Sequence, residues 1–151
     1  MDIKVSLAEE TDFKTISQIE KECFKEDFWS VDGIISTYKV GNCVIYVAKL
    51  GKTIVGYAII TYVCDEVEIL RICSVERYRQ KGIASKIFDE IFDYCKKHFI
   101  LYINLDVRVG NEAAVKLYQK LGFDIVGERK GYYTKYNNEN AYLMTKKLLR
   151  G

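Results

Sequence analysis

The chain has 151 residues, enough for one domain with a hydrophobic core and too few for two ordinary ones. Lys and Arg outnumber Asp and Glu by only 23 to 21, which argues against broad nucleic-acid or membrane binding and leaves room only for a local basic pocket. No apolar run reaches the roughly 18 residues of a membrane span, and the acidic start, MDIKVSLAEETDF, lacks the apolar core of a secretion signal, so a cytoplasmic protein is expected.

With no proline, repeat, linker or low-complexity segment, residues 1–151 read as a single domain. IKVSLA is a first strand. Asp12 is placed to cap the helix FKTISQIEKECF, whose Ile16, Ile19 and Cys23 share a stripe. KEDFWS interrupts, and Ser30 is placed to cap a shorter helix, VDGIISTYK. Three strands follow, CVIYVAKL, GKTIVGYAIITYV and VEILRICSV; a tight turn at Leu50–Lys52 joins the first two, and Asp65 and Glu66 lie in the next connection.

After a basic turn comes a long helix whose pairs Ile83/Ala84, Ile87/Phe88 and Ile91/Phe92, with Cys95, form a face that packs on a sheet. ILYINLDVRV alternates cleanly, with Leu101, Ile103, Leu105, Val107 and Val109 on one side. The helix NEAAVKLYQKLG is capped by Asn111 and closed by Gly122. FDIVGERKGYY and AYLMTKKLL are the last two strands. The order β-α-α-β-β-β-α-β-α-β-β predicts an α/β (α+β) fold, a mixed sheet of about seven strands with about four helices.

Cys23, Cys43, Cys64, Cys73 and Cys95 are odd in number, scattered and free of any CxxC, so reduced and mostly buried thiols are expected rather than a disulfide framework. The single histidine, His98, has only Cys95 nearby, which is too few ligands for zinc, and no metal is expected.

The turn before the long helix asks for a ligand. A helix amino terminus presents unpaired N–H groups and the positive end of the helix dipole, and so favours a phosphate. Arg79 and Lys81 add charge, Gly82 permits close backbone approach, and Ala84 is too small to block it. Arg79-Gln80-Lys81-Gly82-Ile83-Ala84 therefore reads as a diphosphate cradle, although a glycine and bases at a helix start are also common surface chemistry. The segment contains neither GxxxxGK[ST] nor GxGxxG, which excludes a P-loop and a dinucleotide-binding turn.

Those six residues fit [RQ]-x-x-G-x-[GA], and the segment resembles the acetyl-coenzyme A loop of the Gcn5-related N-acetyltransferases (GNAT), whose element order matches over essentially the whole chain. LDVRVGNEAAVKLYQKLGF and RKGYY are similar to stretches of the RimI-like and N-terminal protein acetyltransferases. CFKEDFWS falls where these enzymes carry an aromatic loop over the acceptor.

The resemblance implies direct transfer of acetyl from acetyl-coenzyme A, a cosubstrate, to a neutral amine through a tetrahedral oxyanion. Backbone N–H groups at a strand distortion around Ile72, Cys73 and Ser74 would stabilise that oxyanion, with Ile83 and Ala84 completing the cradle. Tyr118 would be the acid for the leaving sulfur. Asn111 would serve as helix cap and as a contact to the pantetheine arm. The base is open among Asp106, which stands where the subgroup has Glu, and Glu68 or Glu26. Glu26, Phe28, Trp29, Tyr132 and Tyr133 would bind the acceptor, with Tyr136, Asn137, Asn138 and Asn140 shaping the next loop. Cys73 reads as a bystander.

An α-amine with a pKa near 8 is neutral in roughly a tenth of molecules at pH 7, against about one in two thousand for lysine. The shorter Asp106 therefore leans toward an N-terminal acceptor, such as the alanine or serine end of a ribosomal protein. Partners would be acetyl-coenzyme A and a peptide end, for a monomer or homodimer with no nucleic acid and no membrane. A small-amine acetyltransferase using Asp65, Glu66 and Glu68 is the alternative, or else a non-catalytic acetyl-coenzyme A binding module.

Overall fold

Strands β1 (Ile3–Leu7), β2 (Cys43–Leu50), β3 (Thr53–Val63), β4 (Glu66–Ser74), β5 (Tyr102–Arg108), β6 (Asp124–Tyr133) and β7 (Glu139–Lys147) pair into one sheet in the order β1-β2-β3-β4-β5-β7-β6. The structure, a computed structural model, describes residues 2–79, 81–133 and 138–148, apart from the side chains of Glu26 and Glu76. The helices are α1 (Phe13–Phe24), α2 (Val31–Lys39), α3 (Ile83–Lys97) and α4 (Glu112–Lys120). This is the expected mixed α/β architecture.

Every neighbouring pair is antiparallel except β4 with β5, and α3 supplies the crossover which that parallel pair requires. Alternating side chains give the sheet two apolar faces. On one, Ile45, Val47, Tyr57 and Ile59 pack with Phe13, Ile16 and Ile19 of α1 and Ile34 of α2. On the other, Ala58, Ile60, Val67 and Ile103 pack with Ile83, Ile87, Phe88 and Ile91 of α3 and with Val115 and Tyr118 of α4. Gly56 is where α3 comes closest to β3: a Cβ there would lie 2.7 Å from Ile83 Cγ2 and 2.9 Å from the Cys73 carbonyl oxygen.

The feature that positions the site is a parting of strands. β4 and β5 pair from Glu66/Tyr102 to Ile69/Leu105 and no further. Opposite β3, Ile60 pairs with Ile69 and Ile59 with Arg71, leaving Leu70 as an extra residue in β4. A bulge of this kind bends and twists its strand. Beyond it β4 stays with β3, β5 stays with β7, and a cleft opens between them.

Most caps are as expected. Ser30 Oγ accepts from Gly33 N–H at 3.0 Å, and Asn111 Oδ1 accepts from Ala114 N–H at 3.3 Å. Gly122 closes α4 with φ +98°. Asp12 departs from expectation. A 3-10 turn at Glu10–Asp12 runs into α1, and Asp12 has helical dihedrals and makes no side-chain cap bond to α1. Its Oδ2 accepts from Glu9 N–H at 2.9 Å instead, one turn earlier, and its Oδ1 pairs with Lys49 at 3.2 Å. Glu66 begins β4 rather than lying in the connection. The thiols are less buried than expected: Cys73 and Cys95 are buried, Cys23 and Cys43 are half-buried, and Cys64 is exposed at φ +53°.

Candidate active site

The cleft between the parted ends of β4 and β5 has a volume of about 480 Å³. Glu68, Leu70, Arg71 and Ile72 line it from β4, and Asp106 and Arg108 line it from β5. Asn111 and Tyr118 close the α4 side, Phe24 comes from the end of α1 with Asp27 and Trp29 from the loop after it, and Tyr132 and Tyr133 come from the end of β6. Five separate segments, from residue 24 to residue 133, thus meet at one opening.

Backbone donors follow from the strand register. Val75 N–H donates to the Val55 carbonyl at 2.9 Å. Bonded and non-bonded pairs alternate in an antiparallel ladder, so Cys73 is bonded to Tyr57 while Ile72 and Ser74 turn their N–H groups away from β3. They face the side that β5 has left. The distortion itself lies at Leu70, two residues before the predicted Ile72–Ser74, because a single inserted residue re-aims the strand beyond it rather than at it.

α3 begins just past β4. Gly82 is its N-cap, with φ +74° and ψ +19°, and a Cβ at this position would meet nothing within 4 Å. Backbone dihedral, not crowding, selects glycine here. No carboxylate occupies the first turn of α3, where the N–H groups of Ile83 and Ala84 lie. Lys81 is exposed beside them. Arg79 turns back, and its Nε donates to the Ser74 carbonyl at 3.2 Å. Gln80 lies outside the described residues.

Tyr118 is 9% exposed, set edge-on against Phe88 at 5.8 Å and Phe123 at 6.0 Å. Its ring belongs to the core while the side chain reaches the cleft. Burial, with a smaller contribution from Cys73, pushes its pKa up to about 12. The phenol is a protonated donor at neutral pH.

Asp106 is exposed at the cleft, beside both tyrosines of β6. Burial, then the Asp106 charge and a hydrogen bond to it, raise the Tyr132 phenol above its ordinary pKa. Burial and Asp106 also raise Tyr133. Glu68 lines the same cleft, but its Oε1 accepts from Asn104 Nδ2 at 2.9 Å, a nitrogen shared with Glu66 at 3.0 Å.

Of the expected acceptor residues, Trp29, Tyr132 and Tyr133 converge on the cleft. Phe28 does not: it is 37% exposed, with Lys21 Nζ 5.8 Å from its ring, because the extended loop alternates and turns Trp29 inward. Asn140 bridges Gly131 N–H at 2.9 Å and Glu128 Oε2 at 2.7 Å, holding the β6–β7 hairpin. The Glu26 side chain, Tyr136 and Asn137 lie outside the described residues. Cys73 Sγ sits 3.5 Å from Cys23 Sγ, and burial raises its pKa, so the thiol is not an activated nucleophile.

Sequence reasoning missed Glu20 and Arg71. Glu20 is 0% exposed and accepts from Tyr57 Oη at 2.5 Å, Trp29 N–H at 3.0 Å and Arg71 Nε at 3.1 Å. Arg71 also donates to the Asp27 carbonyl, and its guanidinium lies 4.2 Å from the centre of the Phe24 ring. The available signal was a charge out of pattern: Glu beside Ile19 on the apolar stripe of α1, and Arg in the middle of VEILRICSV.

The sequence model of the acetyltransferase (GNAT) family matches residues 10–123. The chain belongs to this family. The [ribosomal protein bS18]-alanine N-acetyltransferase of Escherichia coli K12 is 28% identical over 141 residues, covering 93% of this chain and 94% of that protein. An N-alpha-acetyltransferase of Saccharolobus solfataricus is 40% identical over 81 residues, which are 53% of this chain and 47% of that protein. Several curated relatives are matched over only about half their length or less. The crystal structure of the E. coli ribosomal-protein-S18-alanine N-acetyltransferase superposes with a TM-score of 0.89 at 24% identity, covering 99% of this chain and 96% of that one.

Proposed function

We propose that this GNAT chain transfers the acetyl group of acetyl-coenzyme A to the α-amine at the end of a protein, of the alanine- or serine-starting kind. The observation that carries this reading is the cleft. N–H groups of Ile72 and Ser74, freed by the parting of β4 from β5, face the side where Tyr118 and the Asp106 carboxylate also open. The names of the two relatives support a protein amino terminus as acceptor.

Acetyl-coenzyme A, when bound, supplies an activated thioester. The residues present fit it. A left-handed Gly82 opens the N terminus of α3 to a diphosphate, and the outward N–H groups of β4 lead from there to the cleft. Ile72 and Ser74 N–H are fixed donors for charge that develops on the carbonyl oxygen, preorganised by the ladder behind them. Tyr118 donates a hydrogen bond toward the leaving sulfur. With a pKa near 12 it stabilises a thiolate more than it surrenders its proton, because a thiol of pKa about 8.5 is the stronger acid.

Asp106 receives the proton of the amine, directly or through water, and Tyr132 and Tyr133 wall the acceptor. Glu68 is already engaged by Asn104, which leaves Asp106 the carboxylate better placed to meet the amine. No metal takes part in this reading.

The test is thiol release from acetyl-coenzyme A with peptides beginning Ala, Ser, Met or Thr, each with a free and a blocked amino end, and with spermidine alongside. Release that requires the free peptide end is expected. Release with spermidine alone would move the acceptor to small amines, and binding without any release would make the chain a non-catalytic module.

A further inference from the structure

We infer that Glu20 and Arg71 are positioning residues that set the acceptor wall of the cleft by clamping the loop between α1 and α2 from beneath. The inference rests on the reading of that loop as part of the acceptor site. The loop is held by side chains of α1 and β4, with β3 behind them. Trp29 N–H donates to Glu20 at 3.0 Å, and the Trp29 carbonyl accepts from Ser17 Oγ at 2.9 Å. The Asp27 carbonyl accepts from Arg71, whose Nη1 also lies 3.7 Å from the Asp27 carboxylate. Arg71 is itself fixed by Glu20, with Nη2 at 3.0 Å and Nε at 3.1 Å, and Tyr57 Oη satisfies the other Glu20 oxygen at 2.5 Å.

Two features show that this network fixes one loop conformation rather than merely filling the core. Lys25 enters the loop at φ +50° and ψ −108°, a strained backbone for a side-chain-bearing residue that persists only when its surroundings hold it. And the buried Glu20 carboxylate takes one of the donors it needs from the backbone N–H of Trp29, the residue that turns into the cleft, so the position of the loop is tied to it. Neither Glu20 nor Ser17 lines the cleft, so their influence passes through Trp29 and Arg71. Among the described residues no hydrogen bond joins the network to Tyr118 or to the start of α3, so the acceptor side should respond and the acetyl-coenzyme A side should not.

The test uses the full chain with Glu20→Gln, Glu20→Asp, Arg71→Gln and Arg71→Lys, each checked for native far-UV circular dichroism. Trp29 is the only tryptophan, so its emission reports the loop directly and without any need for turnover. Glu20→Gln and Arg71→Gln are expected to red-shift Trp29 emission and raise its acrylamide quenching in the folded protein. They should also raise the peptide KM about tenfold, with kcat and the acetyl-coenzyme A KM held within about twofold, the pattern of lost acceptor binding. Glu20→Asp and Arg71→Lys should restore part of both effects.

If Glu20→Gln fails to fold, the Arg71 variants decide the matter. Unchanged Trp29 emission in the folded variants would overturn the inference, as would equal losses for both substrates. Wild-type protein that turns over no peptide would overturn the proposed acceptor instead, and Trp29 quenching would still decide the clamp.

Discussion

Tyr118 lines the cleft and Cys73 is buried in the core behind it, and their environments assign them different roles. Burial holds the Tyr118 phenol protonated up to about pH 12. Burial likewise raises Cys73, which keeps it a thiol. Tyr118→Phe removes only the hydroxyl and leaves the edge-on packing with Phe88 and Phe123, so it should lower kcat about a hundredfold with little change in stability. Cys73→Ala should keep turnover within about threefold, since no acyl-cysteine step is required of it. The pH profile separates the two further. A raised tyrosine pKa places the loss of the donor on the alkaline side, so kcat/KM should climb as the α-amine deprotonates near pH 8 and show no fall below about pH 11 from this residue. A basic limb near pH 9 that vanishes in Cys73→Ala would show that the thiol had been misread.

At the scale of elements, what could be read from the sequence was whatever leaves a local pattern. Alternation marked β5, the paired apolar positions marked α3, and Ser30 and Asn111 marked their caps, because each depends on neighbours within four residues. The Leu70 bulge left no such mark: one extra residue in an apolar strand shows only against its partner β3. Glu20 and Arg71 stand 51 positions apart, and their pairing exists only once α1 lies across the sheet. The glycines divide the same way. Gly82 was legible, but its reason is the dihedral, whereas Gly56 passed unremarked inside GKTIVGYAIITYV and is required by crowding. Gly82→Ala should cost about 1–2 kcal/mol, the strain of a left-handed alanine, and Gly82→Asn less. Gly56→Ala must push Ile83 and the Cys73 carbonyl apart, so it should cost about 1–3 kcal/mol and weaken acetyl-coenzyme A binding by shifting the start of α3. Urea unfolding of the three variants, with a coenzyme A titration of each, checks the ranking.

For the molecule as a whole, the sheet is a frame with a gap in it. β1 to β4 form one antiparallel unit and β5, β7 and β6 another, joined by only four paired positions of β4 and β5. α3 spans the connection, its apolar face on the first unit and its N terminus at the mouth of the gap. A ligand lying from that N terminus into the gap would tie the two units together, and would do so at backbone groups the fold leaves unpaired. Saturation at about a hundred times Kd adds roughly 2.7 kcal/mol to the native state. For a domain of this size that corresponds to a rise of about 5–10 °C in Tm. Hydrogen exchange locates the gain. With acetyl-coenzyme A, amides of Ile72 and Ser74 and those opening α3 should slow, while β1 and its pairing with β2 remain as they were. Slowing spread evenly over both halves would mean general stiffening rather than occupation of the gap. Slowing confined to α3, with β4 unaffected, would place the diphosphate correctly and remove Ile72 and Ser74 from the reaction.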